Sequence, residues 1–168
     1  MDKTTRNKVL SKIPYGLYVV GSKTKDGVST IIANWISQVS FHPPLVAIAV
    51  EYDSDMRDYI EESKFFSINM LAEGSTQLAK AFLKKSKQTG SMLNGREATV
   101  TKYGTPYLKD SVASIECKVV NSLEVGDHVL FVGEVIDAVS HDDGEILTLK
   151  ETGWKYCRSE EGRSTESS

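Results

Sequence analysis

The stretch Ala33-Asn-Trp-Ile-Ser-Gln-Val-Ser-Phe-His-Pro-Pro-Leu45 decides how this chain is read. It runs into Val46-Ala-Ile-Ala-Val50, an apolar run that reads as a buried strand, and it follows Ile31-Ile32-Ala33, which is also strand-like. Between them lie the short polar side chains Asn34, Ser37, Gln38 and Ser40, closed by Pro43-Pro44. A double proline ends whatever precedes it and presets an extended approach to the next strand. The expectation is a polar, irregular segment pinned between two core strands. Its unpaired backbone N–H groups, with hydroxyls beside them, can hold an anion or the polar rim of a planar heterocycle. The plainer reading, an ordinary connection built of turn residues, stands beside it.

Outward from that segment, 168 residues suffice for one domain with its own core. The expected domain is 1–157, followed by a polar tail over 158–168 that cannot bury enough surface to fold. No apolar run reaches membrane-spanning length, and Met1-Asp-Lys-Thr-Thr-Arg6 lacks the apolar core of a signal peptide, so a cytoplasmic protein is expected. A net charge of −3 gives no electrostatic case for nucleic acid. Two isolated cysteines, Cys117 and Cys157, make no disulfide framework, and Cys117 inside a strand pattern reads as buried and inert. His42, His128 and His141 are too dispersed for a metal site.

Thr4 or Thr5 is placed to cap a first helix carrying Val9, Leu10 and Ile13 and ending at Pro14. Strands are expected at 17–20, 28–33, 45–50 and 65–71, the first two joined by a turn at Lys25-Asp-Gly27. Ser54 reads as the N-cap of a short helix over 55–62, and Ser75 as the cap of another running through Leu83 into Lys84-Lys-Ser-Lys87. Residues 86–97 read as a loop. A long antiparallel hairpin is expected from 112–123 and 129–139, with Trp154 to Cys157 as a last short element. Six or seven strands with antiparallel turns and short rim helices imply a mainly β, closed or nearly closed barrel.

The order of six motifs is similar to that of the flavin reductase-like family of FMN-binding split β-barrels, antiparallel and Greek-key-like. They are Ile13–Gly21, Ala33–Val46, Phe65–Leu71, Gly104–Leu108, Ile115–Cys117 and Gly126–His128. The Asn34-Trp35 variant resembles the branch of flavoredoxins and rubredoxin-associated flavin reductases. The resemblance implies a homodimer with one FMN per subunit near the interface. It also implies NADH or NADPH as reductant and an oxygenase, a rubredoxin or another electron acceptor as partner.

Carried onto this sequence, the family pattern makes Asn34, Trp35, Ile36, Ser37, Gln38 and Ser40 candidates for the flavin ring. Ser54, at a helix start, and Lys84 become candidates for its phosphate. Each has a plainer role: core burial for Trp35, local hydrogen bonding for Ser40, a simple cap for Ser54, a solvated helix end for Lys84 or Lys85. His128 is the catalytic candidate, because the Gly-Asp-His motif of the family lies beside nicotinamide and flavin. Hydride passes directly between carbons, so stacking and orientation are expected of it rather than acid or base work. Residues 85–97 lack the family's Phe-rich stretch, and there is neither a Gly-x-Gly-x-x-Gly motif nor a Cys₄ rubredoxin segment. The main reading is an NAD(P)H-dependent FMN reductase. The alternatives are a flavoredoxin-type electron-transfer module with little NAD(P)H oxidation, and a split barrel for haem or another ligand.

Overall fold

The computed structural model describes residues 1–155. The chain begins with α1 (Lys3–Leu10), then β1 (Tyr18–Thr24), β2 (Gly27–Ala33), β3 (Ile36–Ser40) and β4 (Leu45–Glu51). Next come α2 (Asp55–Ser63), β5 (Phe65–Met70) and α3 (Thr76–Ala81). Four short strands follow: β6 (Gln88–Thr89), β7 (Met92–Leu93), β8 (Arg96–Val100) and β9 (Pro106–Leu108). The long strands β10 (Ala113–Val125) and β11 (His128–Ser140) precede α4 (Leu149–Thr152). The expected element over 154–157 falls partly, and the tail over 158–168 wholly, outside the described residues, as does Cys157.

Seven strands form one antiparallel sheet in the order β2-β1-β5-β10-β11-β4-β3. Laid flat, six strand spacings would put its two outer members about 29 Å apart. Yet β2 ends at Ala33 and β3 begins at Ile36, and three Cα steps reach no further than about 11 Å. The sheet must therefore curl until its edges meet at Asn34-Trp35. No ladder joins β2 to β3 among the described residues, so the barrel stays split along that seam.

Alternation along the strands sends one set of side chains into the barrel and the other outward. Inside are Val20, Ile48, Phe66, Ile68, Cys117 and Phe131, closed at one end by Met56 and Ile60 of α2. A Cβ at Gly133 would lie 2.6 Å from Cζ of Phe66 and 2.7 Å from Cβ of Cys117, so a glycine here admits the Phe66 ring. Burial, with Glu116 beside it, pushes the Cys117 thiol up to about 12, which makes it inert packing as its strand pattern implied. The second core lies on the outer face of β1 and β2. There Leu17, Val19 and Val28 meet Leu78 and Phe82 from the α3 region, Leu93 and Leu108 from the short strands, and Leu147.

The short strands form their own four-stranded sheet, β6-β7-β8-β9. Asn69 ties it to the barrel: its Nδ2 donates to the carbonyls of Val19 and Pro106 at 3.1 Å each. Its Oδ1 accepts from Leu108 N at 2.8 Å and from the Ser114 hydroxyl at 2.7 Å. A buried amide with every main bond made is stabilising where an unmet one is costly. The buried Glu116 carboxylate likewise accepts from the hydroxyls of Thr101 and Thr105, clasping the turn before β9.

Four local expectations are corrected. Helix α1 is capped by Asp2, whose carboxylate accepts from Thr5 N at 2.6 Å, and by neither Thr4 nor Thr5. Ser75 precedes α3 without a side-chain cap, because its hydroxyl donates back to Ala72 O at 2.5 Å, and α3 stops at Ala81. Residues 86–97 hold β6, β7 and the start of β8, not a loop. The segment expected to be irregular over 34–40 contains a true edge strand, β3, with a register shift between Gln38 and Ser40. A polar edge strand facing solvent on one side has no apolar alternation to betray it.

Candidate functional site

Two pieces of chain meet at the seam between β2 and β3, and a third borders a groove along β2. The first is the corner Asn34-Trp35. Asn34 is buried, and its Nδ2 has no hydrogen-bond partner among the described residues. The contrast with the fully bonded Asn69 is informative, because a native fold rarely leaves a buried amide donor unmet. Trp35 is 37% exposed, and its ring centroid lies 4.5 Å from that of His128, tilted by 38°.

The second piece is the turn of the long hairpin. Gly126, at φ 59°, allows a two-residue connection in which Val125 pairs with His128. His128 is 6% exposed, with Nδ1 2.6 Å from the Asp127 carboxylate. A carboxylate can only accept, so Nδ1–H donates and the ring is held in one orientation. The Asp127 carbonyl in turn accepts from Tyr52 N at 2.9 Å, fixing the hairpin turn to the β4–α2 connection.

Two residues beyond Tyr52 is Ser54, whose hydroxyl caps α2 by accepting from Met56 N at 3.3 Å. Ser54 also lines the third piece, a groove of ≈ 410 Å³ between β2, the start of α2 and the segment after α3. Ser29 and Thr30 line it together with Lys84 and Lys85, while Asp53 and Asp55 carry the opposing charge. The basic segment is held by Ser86, whose hydroxyl accepts from Thr30 N at 2.7 Å and lies 2.9 Å from the Thr30 hydroxyl.

Of the residues singled out in the sequence, Ser54 and Lys84 share this groove, and Asn34, Trp35 and His128 meet at the seam. Ile36, half-buried, packs against the inner core. Ser37 and Gln38 are exposed and bond within their own strand: Ser37 Oγ donates to Gln38 O, and Gln38 Nε2 to Ser40 O, both at 3.1 Å. Neither they nor Ser40 lines the groove. Sequence reasoning missed Ser29, Thr30 and Ser86, and it gave Asp127, within the Gly126–His128 motif, no role of its own. The one signal for the first three was a pair of adjacent hydroxyls, Ser29-Thr30, inside the apolar strand Val28 to Ile32.

An unmet amide donor at the seam, and a groove bordered by hydroxyls, a helix start and two ammonium groups, together suit a polar-edged heterocycle bearing a phosphate. The family model described as "Flavin reductase like domain" matches residues 10–157. The chain belongs to the flavin reductase-like family.

Among flavin reductase-like relatives, the chain is 34% identical over 139 residues to a ferric-chelate reductase (NAD(P)H) of Archaeoglobus fulgidus, covering 82% of each. It is 37% identical over 139 residues to putative diflavin flavoprotein A 2 of Nostoc, but covers only 24% of that protein. The chain thus spans about a quarter of the length of the diflavin flavoproteins it matches. In three dimensions it is similar to the NADH:FAD oxidoreductase SgcE6 of Streptomyces globisporus, with a TM-score of 0.78, 25% identity and 96% of each chain covered. It is also similar to a flavoredoxin of Methanosarcina acetivorans, with a TM-score of 0.68, 26% identity and 77% and 70% of the two chains covered.

Proposed function

We propose that the chain is an NAD(P)H-dependent FMN reductase that hands reduced flavin or electrons to a partner. The observation that carries the reading is the orphaned amide of Asn34, one buried donor without an acceptor among the described residues, two residues past Ile32, which lines a groove whose other members suit a phosphate. In this reading Asn34 donates to the polar edge of the flavin ring, and Trp35 with Ile36 borders its flat face. Ser54, Lys84 and the hydroxyls of Ser29 and Thr30 hold the phosphate. Ser37, Gln38 and Ser40 border the ring through the β3 backbone. A flavin held by these residues would supply the hydride-accepting and electron-storing chemistry.

The protein's own share is orientation. His128, locked by Asp127, braces the exposed ring of Trp35, and the pair forms the wall against which a nicotinamide stacks. FMN is favoured over FAD because one phosphate site at Ser54 and Lys84 completes a mononucleotide. A homodimer is supported by apolar side chains left open on α1 (Leu10), on the edge strand β3 and just after it (Val39, Phe41), and near the turn of the long hairpin (Leu123). The buried free thiol of Cys117 suits a reducing compartment such as the cytoplasm.

Mixing FMN-loaded protein anaerobically with NADH or NADPH tests the activity. Bleaching of the flavin on the timescale of turnover is expected. A flavin that stays oxidised with both nucleotides but bleaches with dithionite assigns the chain to electron carriage instead.

Asn34→Leu separates a ligand from a packing residue. Leucine keeps the shape and removes the unmet donor, so the flavin-free protein should lose no stability and gain up to about 1 kcal/mol. FMN affinity should fall about tenfold, the loss of one hydrogen bond of about 1.4 kcal/mol. Thermal denaturation without flavin and a fluorescence titration with it read the two effects. An unchanged FMN affinity removes Asn34 from the site.

A further inference from the structure

Beside the Ser54–Lys84 groove lies a larger one of ≈ 810 Å³. Its apolar lining includes Ala81 and Met92, and Lys80, Lys84, Lys85 and Lys87 all border it. Among the described residues no carboxylate lines it, unlike the first groove with Asp53 and Asp55. The chain as a whole carries a net charge of −3, so this is a local gathering of cations against the overall balance. Arg57, Arg96 and Lys109 each meet a carboxylate elsewhere, but none of these four lysines does among the described residues.

The groove is held open by its own frame. Asn94 accepts from Lys87 N at 2.7 Å and donates to Ala81 O at 2.9 Å, fastening the turn of the small sheet to the end of α3. Its volume lies in the range of small-ligand sites. Methionine and lysine stems offer an apolar surface to a flat base, and unpaired ammonium groups call for a multiply charged anion. Together these features describe a nucleotide phosphate.

Lys84 and Lys85 border both grooves, whereas Lys80 and Lys87 belong to the second alone. The hairpin turn before His128 is bonded to Tyr52, two residues before Ser54, and Ser54 shares the first groove with Lys84 and Lys85, which also border the lysine groove. That succession of residues is the path on which a dinucleotide would lie. The diester phosphate of a flavin adenylate adds a single charge, whereas a phosphomonoester carries about −1.5 to −2 and matches two further cations.

We propose that this groove holds the 2′-phosphorylated adenosine of NADPH, so that Lys80 and Lys87 select NADPH over NADH. The assignment rests on the reading of the chain as an NAD(P)H-dependent reductase. Recognition is electrostatic, through ammonium groups that act as point charges on the phosphate.

The test is calorimetric titration of the FMN-saturated protein with adenosine 2′,5′-bisphosphate and, as a control bearing two phosphates but no 2′-phosphate, 5′-ADP. The bisphosphate should bind at least about tenfold more tightly, and K80Q/K87Q should abolish the difference. In steady-state kinetics the same double variant should raise KM for NADPH about tenfold and leave KM for NADH unchanged. Equal affinities for the two nucleotides overturn the proposal. So does binding of both that is lost when FAD replaces FMN, which would make the groove the flavin's own adenylate site. Flavin reduction by both NADH and NADPH with no preference for the bisphosphate leaves the reductase reading standing and removes only the groove assignment. Absence of reduction by either nucleotide removes the reductase reading, and with it the selection of NADPH, whatever the titration shows.

Discussion

His128→Ala is expected to slow reduction of bound flavin by NADH and by NADPH about tenfold to a hundredfold, while FMN affinity stays nearly unchanged. The wild-type ring is 6% exposed, held through Nδ1 by Asp127 and set against Trp35 at 4.5 Å. Such a fixed wall lowers the barrier by placing the nicotinamide carbon over the flavin before reaction. Removing a positioning contact of about 1.4–2.7 kcal/mol gives that range of slowing. Stopped-flow bleaching reads the rate. Dithionite is the control, because it needs no nicotinamide wall and should reduce the variant as fast as the wild type. A variant reduced by NADH and NADPH at the wild-type rate would leave His128 as a residue that merely completes a hairpin.

Phe66→Ala should destabilise the fold by about 3–5 kcal/mol, the usual cost of emptying a fully buried aromatic site. Phe66 is 0% exposed, in the inner core, and its ring occupies the space that Gly133 leaves open beside Cys117. With Gly133 on one side and barrel strands on the others, little can collapse into the cavity. For a domain of this size the melting temperature should fall by about 6–20 °C. Val100→Ala, at a side chain 46% exposed on the small sheet, should change stability by no more than about 0.5 kcal/mol. Equal melting temperatures for Phe66→Ala and the wild type would mean that the barrel interior is not packed as described.

The barrel was legible because its inner strands are strongly apolar. Residues 45–50 and the hairpin over 112–139 announce themselves, and the turn at Gly126 allows only a tight connection. Ser54 was legible for the same kind of reason, since a serine before Asp55 and a helical apolar repeat is a cap whatever else it does. Strand β3 was hidden because an edge strand needs no apolar alternation, and Ser37 and Gln38 face solvent. The strands β6 and β7 were hidden by their length, two residues each, which leaves no period to detect. The Thr30–Ser86 clasp joins residues 56 apart in sequence, and no local pattern reports a contact of that range. The missing partner of Asn34 was invisible for a different reason: it is a fact about the surroundings of the side chain, and only the fold supplies those.

The placement of a flavin phosphate at Lys84 is tested most directly by titrating wild-type protein and Lys84→Gln with FMN and with riboflavin, following flavin fluorescence. Lys84 lines the same groove as Ser54, and glutamine keeps most of its reach without its charge. The substitution should weaken FMN about tenfold, one charge-assisted hydrogen bond of about 1.4 kcal/mol, and leave riboflavin binding unchanged. Equal weakening of both ligands, or of neither, would contradict a phosphate held between Ser54 and Lys84.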